Sequence, residues 1–278
     1  MTTLEFSLVV AAVSAAAGFL GALTGLGGGV VITPVLTIML GVDLRYAIGA
    51  TLVSVIATSS GAAAAYVKEG FSNIRVGMFL EIATTIGAVV GAAVATRTPA
   101  STLAIIFGMI LLYSAWDTLL RKSDQPASAG CDPLAERLRL GSTFPGPEGP
   151  IAYGVCRVKT GFGLMFGAGM LSGLLGIGSG AVKVLAMDRA MKIPFKVSTT
   201  TSNFMIGVTA AASAGVYLSR GYILPSIAMP VMLGVLVGSL LGARKLGGAR
   251  IKVLRLLFAI VVGALAIEMI YGGATGRL

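Results

Sequence analysis

Lys183 stands three residues after Gly180, in Gly180-Ala181-Val182-Lys183-Val184, and is the only charged residue between Lys159 and Asp188. A lysine in an apolar segment costs a few kcal/mol or more at membrane depth and marks a functional site by default. An anionic ligand would offset that cost. Hydroxyl and amide side chains accompany it: Thr51, Ser54, Thr58 and Ser59 in one region, and Ser198 to Ser202, Asn203 and Thr209 in another. Such groups bind an oxyanion without trapping it by full charge. Thr51, Ser202 and Asn203 are the leading candidates, and hydroxyl glue between helices is the competing role. Two glycine runs complete the set: Gly25-Leu26-Gly27-Gly28-Gly29 and Gly176-Ile177-Gly178-Ser179-Gly180. Each precedes a short apolar piece. If that piece is a helix, its free N–H groups and dipole point back at the glycines and attract anions. Glu81 interrupts another apolar segment and is a candidate to carry a coupling proton. Asp117 and Glu268 lie near segment ends, where an interfacial location explains them.

Catalysis finds little support. The chain has no histidine, which removes the commonest general base and metal ligand. Gly178-Ser179-Gly180 therefore has no base to form a serine-protease site, and no cluster suits a zinc protease. No nucleotide-binding motif is visible, and no catalytic residue, metal or cofactor is expected. The two cysteines, Cys131 and Cys156, fit no zinc spacing and are expected to be reduced thiols.

The elements that position these residues follow from composition. Hydrophobic residues make up 56% of the 278 and charged ones 12%, with a mean hydropathy of +0.93. Soluble domains carry about 25% charge, so this chain reads as membrane-embedded. The start lacks the basic region of a signal peptide, so the first apolar stretch is expected to be a retained helix. The net charge of +10 does not indicate nucleic acid, because the basic residues sit at the ends of apolar segments. A crossing helix needs about 20 apolar residues. Candidates span roughly 5–24, 44–66, 74–96 and 100–120, then 160–176, 196–218, 225–244 and 251–271. The short pieces are about 28–41 and 180–191. Between the halves, 121–158 is polar and rich in turn residues, from Gln125-Pro126 to Pro145-Gly146-Pro147-Glu148-Gly149-Pro150.

The halves repeat. A shift of 151 positions aligns them without a gap from about 19 to 107: Tyr66 on Tyr217, Gly70 on Gly221, Gly87 on Gly238, Gly91 on Gly242, Phe107 on Phe258. Lys183 falls on Ile32, Thr51 on Ser202 and Thr58 on Thr209. Lysine and arginine then choose the topology. If each short piece reverses direction, sixteen basic residues lie on one side and Arg45, Arg97, Arg220 and Arg277 on the other, Lys183 apart. If the pieces continue straight, the split is even. The positive-inside rule selects the first arrangement. The expected fold is therefore an all-α integral membrane protein of two inverted repeats, 1–120 and 159–278, joined by a cytoplasmic linker loop, 121–158. Each repeat is a Gly-tipped helical hairpin plus three transmembrane helices, and both termini are non-cytoplasmic. Inverted repeats with broken helices place a binding site near the midplane between copies.

The first tip with Thr33-Pro34-Val35-Leu36 resembles the TauE/SafE sulfite-exporter family. So does the stretch from Gly173-Leu174-Leu175 through Lys183 and on to Ser202-Asn203-Phe204-Met205-Ile206-Gly207-Val208-Thr209. The resemblance covers about residues 8 to 272. It implies a bacterial-type inner-membrane transporter that moves sulfur-containing anions, such as sulfite, thiosulfate or small organosulfonates, often outward. Two positions depart from the family pattern: Ser179, where a third glycine is usual, and Leu185, where proline is common. The expected substrate-binding set is Gly27, Gly28, Gly29, Thr51, Gly178, Ser179, Gly180, Lys183, Ser202 and Asn203, with Glu81 for coupling. The expectation is a secondary transporter working by alternating access. A passive anion channel using the same site is the alternative. Expected partners are a small anion, the lipid bilayer and a coupling ion (proton or sodium). A homo-oligomer is left open, and no nucleic acid is expected.

Overall fold

The structure is a computed structural model that describes residues 3–24, 29–68, 70–120, 132–146, 149–245 and 251–277. The first half runs α1 (Thr3–Thr24), α2 (Gly29–Leu40), α3 (Leu44–Lys68), α4 (Ile74–Ala95) and α5 (Ala100–Leu120). The linker contributes a short helix, α6 (Pro133–Arg137), and the hairpin β1 (Ser142–Gly146) and β2 (Gly149–Tyr153). The second half runs α7 (Val158–Leu175), α8 (Gly180–Leu185) with a π turn at Ala186–Ala190, α9 (Phe195–Ser219), α10 (Pro225–Lys245) and α11 (Ile251–Ala274). Both short apolar pieces are separate helices that start at the end of a glycine run. The second reverses direction: Met191, just past the π turn, lies against Gly161 near the start of α7, and its carbonyl accepts a hydrogen bond from Cys156 N.

Side-chain placement inverts the soluble pattern. On α4, Met78, Ile82, Ile86, Val90 and Val94 point outward and are exposed. The inward stripe is small or polar: Gly77, Glu81, Thr84, Gly87, Ala88, Gly91 and Ala95. On α10, Met229, Leu233, Val237 and Leu241 form a similar outward row. A continuous exposed apolar belt needs a lipid partner. Among the described residues, Ile74–Ala95 and Val158–Leu175 are each long and apolar enough to cross a bilayer.

The helices pack by exchange between halves. α4 lies on α7 and α1 on α10, while α3 faces α9 and α5 faces α11. Glycines make these contacts close. A Cβ at Gly87 would overlap the Phe166 carbonyl, and the equivalent Gly238 abuts the Ala15 carbonyl. Gly169 meets Thr84, and the equivalent Gly18 meets Val235. Equivalent helices run antiparallel. Gly108 of α5 lies against Ala266 and Ile270 of α11, while Gly273, further along α11, lies against Ser101 near the start of α5. Similarly, Gly49 near the start of α3 meets Tyr222 beyond the end of α9, while Ser59 meets Gly207. Two cation–aromatic contacts obey the same exchange. Arg45 lies over Tyr222 and Lys196 over Phe71, each pair being the other shifted by 151.

These contacts also sort the ends of the bundle. Arg45 donates to the Thr98 carbonyl and to the Tyr222 hydroxyl, so loops 41–43, 96–99 and 220–224 share one end. The linker and the starts of α4, α7 and α9 share the other. The described part of the linker is not the open loop that its composition suggests. Asn73, the N-cap of α4, donates through Nδ2 to the Leu140 carbonyl and the Tyr153 hydroxyl, and through its backbone N to Thr201. Ala135, Leu140, Tyr153 and Val155 join a core with α4, α7 and α9. Burial pushes the Tyr153 phenol above its ordinary pKa. A correction concerns the cysteines: Cys156 is disulfide-bonded, not a reduced thiol. Asp132 accepts from the backbone N of Val158, which brings the two ends of the folded linker together. Cys131, the only other cysteine in the chain, lies outside the described residues.

Glycine contacts predict opposite signs for one substitution. Gly173→Ala drives a methyl into the Ala88 carbonyl and should destabilise the protein by about 1–3 kcal/mol. Gly167→Ala, with nothing within 4 Å, should be neutral or stabilise by up to about 1 kcal/mol through helix propensity. Thermal unfolding in one detergent checks both.

Candidate anion site

Both short helices begin at mid-height of a long one. Gly29 lies against Thr51 and Val55 of α3, and Gly180 lies against Ser202 and Ile206 of α9, which are the same contacts shifted by 151. The tips also approach each other. Gly178 touches Val55 as well as Ile206, and Gly29 lies near the Gly176 carbonyl. Val55 thus packs beside both tips.

The second tip is tightly wound. Gly176, Gly178 and Ser179 all have positive φ, at 68°, 71° and 43°. A left-handed serine is strained. Here its hydroxyl donates 2.6 Å to the Ala168 carbonyl of α7, which compensates. Glycine is therefore not required at 179 for the turn to form. The side chain of Ser179, the residue ahead of α8, makes no capping hydrogen bond to its amides. A narrow cleft reaches this tip between α2 and α5, lined by Val30, Ile110, Leu111, Tyr113, Ser114, Ile177, Ser179, Gly180, Val182 and Leu185. Its walls are mainly apolar, and Lys183 is not among them.

Lys183 turns to the other side of α8. It is fully buried, and its Nζ donates 2.5 Å to the Thr209 hydroxyl of α9. Helical side chains lean toward the helix N-terminus, so Lys183 reaches back to Thr209, one turn beyond the Ile206 that Gly180 touches. Thr209 in turn donates 2.6 Å to Glu81 Oε1 on α4. Thr85 donates to the same oxygen at 3.2 Å. Glu81 Oε2 is buried with no hydrogen-bond partner. Glu81, 8% exposed, and Lys183 are the only charged residues buried among the described ones. One threonine hydroxyl separates them. The partnership crosses the halves, because Glu81 belongs to the first and Lys183 and Thr209 to the second. At the equivalent positions stand Met232, Ile32 and Thr58. Only the threonine is shared.

The candidate residues thus fall into two groups. Gly29, Thr51, Gly178, Gly180 and Ser202 gather between the tips, with Ser179 at the turn. Thr51 accepts from Thr33 and donates to the Ala47 carbonyl, and Ser202 donates to the Gly180 carbonyl. Each hydroxyl ties a short helix to the long helix after it. Asn203 of α9 is half-buried, and its side chain makes no hydrogen bond among the described residues. Gly27 and Gly28 lie outside the described residues. Lys183 and Glu81 form the second group with Thr209. Thr84 and Thr85 beside Glu81, the N-cap Asn73, and Tyr217, whose hydroxyl donates to the Gly173 carbonyl, were not singled out from sequence. An asparagine just ahead of an apolar run is a recognisable helix-start signal at Asn73; the others carry no local signal.

A helical chain with an outward apolar belt, close-packed exchanged halves and one buried charge pair has the build of a membrane transporter. Relatives agree with that class. The chain is 27% identical over 265 residues to "Probable membrane transporter protein YunE" of Bacillus subtilis (strain 168), covering 92% of this chain and 94% of that one. It is 24% identical over 229 residues to "Probable membrane transporter protein YdhB" of the same organism, covering 82% and 83%. Identity to "Probable membrane transporter protein ORF9" of Sinorhizobium sp is 24% over 256 residues, covering 91% and 88%. The family described as Sulfite exporter TauE/SafE matches residues 10–269, and the chain belongs to it. No solved structure matches the chain.

The bridge makes a comparative prediction. Thr209→Val leaves Lys183 without its acceptor and should cost about 1–3 kcal/mol of stability. Thr58→Val removes only a bond to its own helix, to the Ser54 carbonyl, and should cost under about 1 kcal/mol. Chemical unfolding of both variants in one detergent checks the difference.

Proposed function

We propose that this membrane transporter carries a small sulfur-containing anion, such as sulfite, thiosulfate or an organosulfonate, by alternating access between two inverted repeats. The observation that carries this reading is the convergence of both glycine tips on Val55 with a buried lysine one turn from the second tip. The family's description as sulfite exporters supports the substrate class. The amides of the second tip and the ammonium of Lys183 supply the positive potential that an anion needs. Antiparallel packing of α5 on α11 and α3 on α9 supports the inverted relation of the repeats. Glu81 is the group proposed to couple transport to a proton.

We place the protein in the inner (plasma) membrane with the linker cytoplasmic and both termini outside, on the sixteen-to-four bias of basic residues. The Cys156 disulfide pulls the other way, because disulfides persist in oxidising compartments. The charge bias sums over many positions and is what supports the proposed orientation. Impermeant thiol reagents on cells check it: in a cysteine-free background, Asp43→Cys should label from outside and Lys192→Cys should not. The reverse result inverts the orientation.

Purified protein should be thermally stabilised by at least one of sulfite, thiosulfate and methanesulfonate. Lys183→Met should abolish that shift, while Lys159→Ala, at an exposed position, should keep it. Stabilisation by none of the three anions removes the substrate assignment. In vesicles, counterflow should show trans-stimulation; its absence turns the carrier into a channel.

A further inference from the structure

Lys183 is not waiting for an anion in this structure. An acidic side chain, Glu81, is already within reach of it through Thr209. We propose that Glu81 is the resident counter-ion of Lys183, that cargo replaces it, and that Glu81 takes up one proton when cargo binds. The inference rests on the anion-carrier reading and adds the charge bookkeeping that reading lacks.

Three observations carry it. The first is isolation. α4 packs on α7 and α9, and neither brings another charge to Glu81. Lys159 and Lys196, the lysines of those helices, are exposed at the linker end. Tyr217 of α9 is engaged with the Gly173 carbonyl, two turns beyond Thr209. Asp188 and Arg189 belong to the π turn that follows α8, and Tyr153 meets Asn73 two turns before Glu81. Among the described residues, Lys183 is the charged group that hydrogen bonds connect to Glu81, by way of Thr209.

The second is neutrality. In a medium without water, an unpaired buried charge costs several kcal/mol, so each stable state must hold a balanced set. Without cargo, the set is Glu81 carboxylate and Lys183 ammonium. With a monoanion added, balance returns if the carboxylate becomes the neutral acid: one O–H bond forms on Glu81, and the cargo pairs with the ammonium. Both states are neutral inside. A cargo of charge −1 with one proton satisfies this, which narrows the proposed cargo to monoanions such as hydrogen sulfite or an organosulfonate; a dianion such as thiosulfate leaves one charge unmatched.

The third is the orphan oxygen. Glu81 Oε1 accepts from Thr209 and Thr85, whereas the buried Oε2 has no donor. Oε2 is the free position for the proton, and taking it there leaves both threonine bonds intact. Thr209 is then a positioning residue. Its hydroxyl accepts from the lysine and donates to the glutamate, so it can pass the lysine to a competing anion without leaving either helix.

The consequence is obligatory cotransport of one proton with each monoanion. The probe is methanesulfonate, whose charge stays at −1 across the working pH range. Calorimetric titration of the purified full-length protein in two buffers of different ionisation enthalpy counts protons. At a pH where Glu81 is ionised, about one proton should be taken up per anion bound, and the apparent affinity should fall about tenfold per pH unit of rise. Glu81→Gln mimics the protonated acid. It should bind methanesulfonate with no proton uptake, independent of pH, and at least as tightly as the parent at its acid limit. Binding by the parent without proton uptake, or a Gln variant that keeps the parent's pH slope, overturns the exchange and leaves the carrier reading standing. The parent count needs no variant, so a Gln protein that fails to fold does not block the test. If neither parent nor variant binds methanesulfonate or sulfite at any pH, the anion assignment itself falls and the exchange falls with it.

Discussion

A buried ammonium has to be neutralised within the reach of its own side chain. That constraint organises the middle of this protein. Lys183 sits on a short helix with no acid of its own to pair with, so the acid must come from another element. Two helices have to be held at fixed spacing to supply it: α9 with Thr209 and α4 with Glu81. Hydrogen bonds of 2.5 and 2.6 Å tolerate little drift between those helices. The placement of α4 on α9 is therefore part of the site as much as of the fold.

Close packing supplies that placement. In a chain whose outer surface is as apolar as lipid, hydrophobic burial does little to choose one helix partner over another. Glycine carries the choice instead. Gly87, Gly169 and Gly173 let α4 and α7 approach until a single added methyl would meet backbone, and Gly18, Gly234 and Gly238 do the same for α1 and α10. The two interfaces are versions of one solution used twice. The linker closes the set at one end, where Asn73 joins α4, α9 and the hairpin by hydrogen bonds that hydrophobic patterning does not encode.

What the sequence reveals follows from this division. Helix extents were legible, because apolar runs bounded by Gly, Pro and Asn are local signals; the expected 74–96 and 100–120 lie within a residue of α4 and α5. The sequence repeat was legible from glycine positions together with the aligned Tyr66 and Tyr217 and Phe107 and Phe258. Lys183 stood out because it is a charge in an apolar run. Its partner did not. Glu81 lies 102 positions away in the other copy, and the repeat alignment sets it opposite Met232 and sets Lys183 opposite Ile32, so neither residue points to the other. Pairing across the fold exists only once α4, α8 and α9 are assembled. The hydroxyls carry two readings in the sequence, ligand contact and glue between helices; in the structure Thr51 and Ser202 join the short helices to the long ones. The folded linker was hidden by its turn-rich composition, since its order comes from Asn73 and from the core it shares with α7 and α9.

The polar bridge occupies one of two equivalent sockets, and the other, around Ile32, Thr58 and Met232, is uncharged. A carrier made of identical halves would rest with equal ease facing either side, because each facing would be the other turned over. Here the lysine and the glutamate each occur in one copy only, so the hydroxyl-bridged pair has no counterpart at the equivalent positions. In the alternating-access carrier proposed above, the two facings would therefore differ in free energy, and the empty protein would rest in one of them in preference to the other.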